Sequence, residues 1–311
     1  MGKRLGRVAV FLMAAVAALT VFGACAGPAE EKTPAEITDQ LGRTVQLEGV
    51  PQRIISLAPS NTEILFALGL GDRVVAVTDY CDCPEEAKDK PSIGGFSTPN
   101  IEQIVSYNPD MVVAVLRHED EIIPQLESRG ITVLGLNPTT IEEVMEALEL
   151  VGQVTGTTDK AEEVISDMKA RIKAVDDKIS TLSESEKPRV FYAVWNDPLM
   201  LAGSNTMQSE LIVRAGGINI AGDMTDYPSV SLEDVLVDNP EVMIASYGTG
   251  MGEDQIFNYI KEEPRLAETD AGKSGRIYAI DGDLVSRAGP RIVDGLEEYA
   301  RLLHPDLFGE Q

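Results

Sequence analysis

One fourteen-residue pattern occurs twice in this chain, and the duplication constrains the fold more than any other feature. Ile101–Ala114 (IEQIVSYNPDMVVA) returns as Leu232–Ala245 (LEDVLVDNPEVMIA), 131 residues further on. Each copy runs from an apolar residue and a Glu to an apolar pair, then Asn-Pro-acid, then four apolar or small residues. That order predicts a short amphipathic helix, a proline that stops it, and a strand. The strand lacks two-residue alternation, as expected in a parallel sheet covered on both faces. A second set of matches lies upstream of each copy, at an offset of 147. It pairs Glu63-Ile64-Leu65 with Glu210-Leu211-Ile212, Gly69 with Gly216, and Thr78-Asp79-Tyr80 with Thr225-Asp226-Tyr227. The fold class that follows is α/β: two similar Rossmann-like lobes with mainly parallel sheets.

Between the halves, Ala161, Val164/Ile165, Met168, Ile172, Val175, Ile179 and Leu182 recur at steps of three and four, with charges between them. Thr158–Leu182 is thus one amphipathic helix, roughly 37 Å long at 1.5 Å per residue. Such a stripe also suits a coiled coil, but its place between two repeated halves makes it a spine lying along both. The expected organisation is an N-terminal lobe over 39–156, a connecting helix over 157–183 and a C-terminal lobe over 184–311. Within the first lobe, Leu41–Leu47 reads as an edge hairpin and Arg53–Leu57 as a strand. Ser60 and Glu63 form a capping box for the next helix, which Gly69 closes. Arg73–Val77 and Thr132–Leu136 are further strands, and Ile122–Arg129 and Ile141–Gly152 helices. The second lobe opens with the strand Arg189–Val194 and closes with Gly275–Ile280 and a helix over Arg291–Leu303.

The first residues belong to neither lobe. Lys3, Arg4 and Arg7 precede the uncharged apolar run Val8–Phe22, which reads as a secretory signal over 1–24, too short to span a bilayer comfortably. It ends in Val21-Phe22-Gly23-Ala24-Cys25, which resembles the lipobox of bacterial lipoproteins and implies acylation of Cys25. Residues 25–38 then form a Pro, Ala and Glu-rich tether. Loss of the three basic residues leaves 23 Lys and Arg against 51 Asp and Glu, a net charge of about −28. That surface repels nucleic acid and anionic headgroups.

Few catalytic patterns are present. His118 and His304 are the two histidines and stand far apart, so a His-rich metal site is not expected. There is no P-loop, no G-x-G-x-x-G after a strand and no G-x-S-x-G elbow. Cys81 and Cys83 bracket Asp82; free or labile thiols and a soft-metal ligand role both stay open. Tyr80 and Tyr227 each follow the helix–strand unit of their half, where ligands bind at the carboxyl ends of strands. Trp195 follows the strand Arg189–Val194 to the same edge, and Phe96 lies in a Gly-rich loop. Either each aromatic packs locally, or all four share an apolar-lined cleft. Glu102 and Glu233 begin the two repeated helices, and serve either the helix dipole or a partner's arginines.

Ile54–Leu68 (IISLAPSNTEILFAL), Gly94–Ala114 with NIEQIV and NPDMVVA, and Arg287-Ala288-Gly289-Pro290-Arg291 together resemble the solute-binding proteins of ABC importers for cobalamin, siderophores and haem. The resemblance covers residues 40–305, and Thr78–Pro84 with the Ser-Arg-Ala-Gly-Pro-Arg run is most similar to the cobalamin binders. It implies a corrinoid as transported ligand, with no resident cofactor. Tyr80, Phe96 and Tyr227 would face the corrin, with Trp195 beside them, and Asp283 and Arg287 would reach polar groups of the ligand. It further implies Glu102 and Glu233 as docking residues for a permease with its ATPase subunits, a monomer, and an extracytoplasmic, lipid-anchored location. Val115 stands where an aromatic often lines the pocket, and Trp195 is one step off the related position. Haem or a ferric siderophore is the alternative cargo. Outside the family, a secreted α/β hydrolase using Asp79 or Asp226 as base and a surface scaffold without a small ligand are the other readings.

Overall fold

The computed structural model describes residues 36–248 and 255–309. The expected signal, Cys25 and all but the last residues of the tether lie outside them.

The first lobe begins with an antiparallel hairpin of β1 (Glu36–Thr38) and β2 (Thr44–Gln46). The expected edge hairpin is present, with Leu41 and Gly42 in its turn and its first strand starting earlier, at Glu36. The turn is set by Asp39, a buried carboxylate that accepts from the backbone N–H of Leu41, Arg43 and Gly135 and pairs with Arg43 at 2.7 Å. A side chain that satisfies nearby amides in this way holds a turn against strand formation.

There follow β3 (Ile54–Ser56), α1 (Pro59–Ala67), β4 (Val74–Ala76), α2 (Ile101–Ser106), β5 (Met111–Val115), α3 (Ile122–Glu127) and β6 (Thr132–Leu136). Their strands form one parallel sheet in the order β4-β3-β5-β6. Two helices, α4 (Ile141–Thr155) and α5 (Thr158–Ile179), lead to the second lobe. That lobe contains β7 (Arg189–Asn196), β8 (Leu199–Leu201), α6 (Met207–Arg214), β9 (Ile218–Asn219), α7 (Leu232–Asp238) and β10 (Val242–Tyr247). It continues with α8 (Gln255–Glu262), α9 (Asp270–Ser274), β11 (Ile277–Asp281), α10 (Gly282–Ser286), α11 (Ile292–Leu303) and α12 (Pro305–Phe308). Here the parallel strands run β9-β7-β10-β11, retracing the first lobe, and β8 adds an antiparallel strand along β7.

The duplicated Asn-Pro-acid motif has a mechanical explanation. Asn108 and Asn239 take left-handed backbone at φ 44° and 46°, a conformation Asn tolerates better than most residues. The proline behind each starts the run into the strand. The acid then returns to the first strand of its sheet. Asp110 accepts from the N–H of Gln52 and Arg53, and Glu241 accepts from the N–H of Arg189. Arg53 in turn donates to the carbonyls of Tyr107 and Asn108, and Arg189 to those of Asp238 and Asn239. The helix-end carbonyls that an α-helix leaves unpaired are thereby satisfied.

One apolar core runs through both lobes. It joins Ile54 and Leu134 of the first sheet to Val144 and Leu148 of α4, Met168, Ile172 and Val175 of α5, Leu296 and Tyr299 of α11, and Val190 and Ile244 of the second sheet. The opposite face of each sheet has its own smaller core. Helix α5 ends at Ile179, three residues short of the expected Leu182. Its buried stripe packs on α4 and α11, and Arg171 on the same helix binds Asp294 at 2.5 Å and Glu297 at 2.7 Å.

Candidate functional site

Strand β7 continues past Val194 to Asn196, turns at Asp197-Pro198 and returns as β8. Trp195 sits on this hairpin opposite Met200, with its indole N–H donating to the Asp197 carbonyl at 2.9 Å. Tyr227 arrives on the loop after β9. That loop is pinned to the chain after β8 by Gly203 N–H to Asp226 O at 2.8 Å and Ser204 N–H to Met224 O at 2.7 Å. A Cβ at Gly203 would lie 2.4 Å from the Met224 carbonyl oxygen, so only glycine permits this approach.

Trp195 and Tyr227 line a cavity of about 840 Å³, together with Val194, Met200 and Met207. Pro138 and Thr139, between β6 and α4, close it from the first lobe, and Ser286 and Ala288 form its lip. Its polar groups are the hydroxyls and carboxamides of Thr139, Asn205, Thr206, Gln208 and Ser286; no lining side chain is charged. The Tyr227 hydroxyl donates to Gln208 Oε1 at 3.3 Å, and burial pushes its pKa up.

The other expected site residues are not part of this cavity's wall. Tyr80 is 57% exposed. Phe96 is half-buried, its ring edge-on to His118 at 5.3 Å and its carbonyl 2.7 Å from His118 Nε2. Arg287 and Asp283 pair at 2.7 Å, and the same guanidinium binds Asp82 at 2.5 Å and stands 3.5 Å from Glu63. Asp82 is two residues beyond Tyr80, while Ser286 and Ala288 flank Arg287, so this ion pair sets the Tyr80 loop beside the cavity lip. Burial would raise the Asp82 carboxyl, yet Arg287 holds it below its ordinary value. Burial, with Asp82 and Asp281 nearby, raises that of Asp283 despite Arg287.

Two glutamates tie the lobes together. Ser60 and Glu63 do not form the expected capping box: Pro59 opens α1, the residue at its N-cap is Ala58, and Ser60 lies inside the helix. Glu63 is buried and reaches the second lobe, accepting from Arg291 Nε at 3.0 Å and Nη2 at 2.6 Å. Gly289 makes room for it, because a Cβ there would stand 3.2 Å from Glu63 Oε2. Its repeat mate Glu210 reaches the opposite way, accepting the Ile141 N–H of α4 at 2.9 Å. A second cavity of about 780 Å³ adjoins the Glu63–Arg291 pair. Carboxylates of Asp72, Glu86 and Asp89 and the ammonium of Lys90 line it, with none of the expected aromatics.

The periplasmic binding protein family matches residues 54–284 of this sequence. The chain belongs to that family. It is 34% identical, over the whole of both chains, to the uncharacterized ABC transporter substrate-binding lipoprotein YvrC of Bacillus subtilis. Over 81% of this chain and 89% of the relative it is 30% identical to the vitamin B12-binding protein of Vibrio cholerae. Among solved structures, the apo haem-binding protein RhuT of Roseiflexus superposes with a TM-score of 0.73 at 28% identity, covering 81% of this chain and 98% of the other.

In this binding protein Glu102 and Glu233 are both exposed on matched helices. Glu233 is bound by Arg265 at 3.0 Å. Cys81 is buried and Cys83 half-buried, both as free thiols, and burial raises both pKa values. Both histidines are buried, and no cluster of metal-ligating side chains occurs among the described residues. Nor is any helix among them long and apolar enough to cross a membrane. Asp79 accepts from the Ser92 hydroxyl, and Asp226 sits in a left-handed turn. Sequence reasoning missed Gln208, Met200 and Met207 in the cavity wall. It also missed Glu63 and Glu210 as inter-lobe contacts, although the repeat itself marks the last two.

Proposed function

We propose that this protein is the lipid-anchored, extracytoplasmic substrate-binding component of an ABC importer, and that its cargo is a corrinoid such as cobalamin. The observation that carries the cargo is the chemistry of the 840 Å³ cavity: aromatic and thioether walls, neutral hydroxyls and carboxamides, no charge. A corrinoid offers broad apolar faces and neutral amide arms, which such a wall matches. The carboxylates of haem or an anionic ferric siderophore call for cations, and Arg287 is already held by three acids. The 30% identity to a vitamin B12-binding protein supports the same cargo.

In this reading Trp195 and Tyr227 cover one ligand face, and Tyr80 and Phe96 close over it from the first lobe. Asp283 and Arg287 bond amide or nucleotide-loop groups at the lip. Glu102 and Glu233 grip permease arginines, Cys25 carries the acyl chains, and the protein works as a monomer whose spine helix limits lobe motion. Calorimetric titration with cyanocobalamin tests the cargo. A saturable one-to-one isotherm is expected, with no heat from hemin or a ferric siderophore; the reverse pattern moves the claim to that ligand. Glu102→Ala with Glu233→Ala is expected to abolish uptake at unchanged ligand affinity.

A further inference from the structure

We propose that Glu210 is a proton-responsive positioning residue, which joins the two lobes at the cavity wall and sets how firmly that wall closes. The functional part of this rests on reading the 840 Å³ cavity as the ligand site; the contact itself does not.

The wall is made of two pieces that meet at Glu210. From the first lobe come Pro138 and Thr139, immediately before α4; from the second come Met207 and Gln208, at the start of α6. Glu210 accepts the N–H of Ile141, the first residue of α4, so this hydrogen bond links the two pieces. Glu142, the next residue of α4, converges with it on one nitrogen: Arg214 Nη1 lies 2.7 Å from Glu142 and 3.9 Å from Glu210. The rest of that guanidinium is taken by Asp176 of α5 at 3.1 Å.

Among the described residues, the other acids on the neighbouring helices are engaged elsewhere. On α4, Glu143 turns back onto the N–H groups of Thr139 and Thr140. On α11, Asp294 and Glu297 serve Arg171, and on α10 Asp283 serves Arg287. Burial and the Glu142 charge push the Glu210 pKa up to about 7, against the opposing Ile141 hydrogen bond and Arg214. Glu142, also partly buried, is held below its ordinary value by Arg214. A protonated Glu210 keeps a carbonyl oxygen for Ile141 and gains an O–H to donate to Glu142. An ionised one sets two carboxylates against each other across the lobe boundary. Acid therefore fastens the wall and alkali loosens it. Its repeat mate Glu63 instead faces two guanidiniums, those of Arg291 at 2.6 Å and Arg287 at 3.5 Å.

Trp195 is the single tryptophan and lines this wall, so its emission reports the wall without any ligand. In the full chain, a pH titration of that emission is expected to show a transition centred near 7. Glu210→Gln, which retains an acceptor for Ile141 and a donor for Glu142, is expected to abolish it at the acid-form signal. Glu142→Gln is expected to move it to lower pH. A wild-type signal without a transition, or a transition that survives Glu210→Gln, overturns the proposal, and Glu142→Gln decides if that variant does not fold. Cyanocobalamin affinity, measured in parallel, is expected to be about fivefold tighter on the acid side in the wild type and flat in Glu210→Gln. Absence of cyanocobalamin binding at every pH, with the emission results as expected, removes the cargo reading and leaves the contact supported.

Discussion

The two lobes end their helices alike but grip each other differently. Asn108 and Asn239, Arg53 and Arg189, and Asp110 and Glu241 do the same work in each, satisfying helix-end carbonyls and strand amides. Glu63 and Glu210 also occupy matched places, and each reaches into the opposite lobe. Their surroundings separate them. Glu63 meets the guanidiniums of Arg291 at 2.6 Å and Arg287 at 3.5 Å, whereas Glu210 meets a backbone N–H, another acid and, at 3.9 Å, Arg214. A duplicated carboxylate thus becomes an ion pair across the lobes in one copy and a group with a raised pKa in the other. The difference lies in the partners, since the residue is the same.

The sharpest way to break this comparison is to remove each carboxylate. Glu63→Ala leaves Arg291 without its carboxylate at a part-buried site, and a cost on the order of 3 kcal/mol is expected in urea unfolding. Glu210→Ala removes one backbone hydrogen bond and also relieves a like-charge contact. Its expected cost is about 1 kcal/mol or less at neutral pH. Equal losses would show that the cations around Glu63 contribute little and would erase the distinction.

The dependence on pH sharpens it further. The folded pKa of Glu210 is raised to about 7 from the ordinary 4.5. Between those values the folded chain holds a proton that the unfolded chain has released. Its stabilisation is therefore complete below 4.5 and is lost as pH rises through 7. Relative to Glu210→Gln, the wild-type thermal midpoint is expected to fall over that window. A midpoint that rises instead would mean that the carboxylate is ionised and paired.

Much of this was legible in the sequence, for reasons that differ by residue. The repeat gave away the helix–strand units and the α/β class, because a helix, a proline stop and an apolar strand leave local marks in both copies. The spine helix was legible from its stripe, and Trp195 and Tyr227 from their places after strands. Glu63 was misread because Ser60-x-x-Glu63 does fit a capping box; Pro59 moves the helix start back, and the true partner lies 228 residues away. Strand β8 left almost no mark, since three residues after Asp197-Pro198 show no periodicity to count. The neutral character of the cavity was equally hidden. Its wall is assembled from both lobes, from Pro138 and Thr139 to Ser286 and Ala288, a gathering that no local pattern encodes.

The smallest effect tests the feature the lobes share most closely. At φ 44° and 46°, both Asn108 and Asn239 sit where glycine has no Cβ penalty. Gly is then expected to cost little in the folded state and up to about 1 kcal/mol through unfolded-chain entropy. The two positions differ in what the side chain does. Asn239 Nδ2 donates to Asp270 Oδ2 at 2.9 Å, and its Oδ1 accepts the Asp270 N–H at 2.9 Å, fastening α9 to the end of α7. Asn108 makes no side-chain hydrogen bond among the described residues. Asn239→Gly should therefore lose about 1 kcal/mol more than Asn108→Gly in urea unfolding. If the two cost the same, the Asp270 contacts add nothing in water, and the left-handed turn alone explains why Asn stands in both copies.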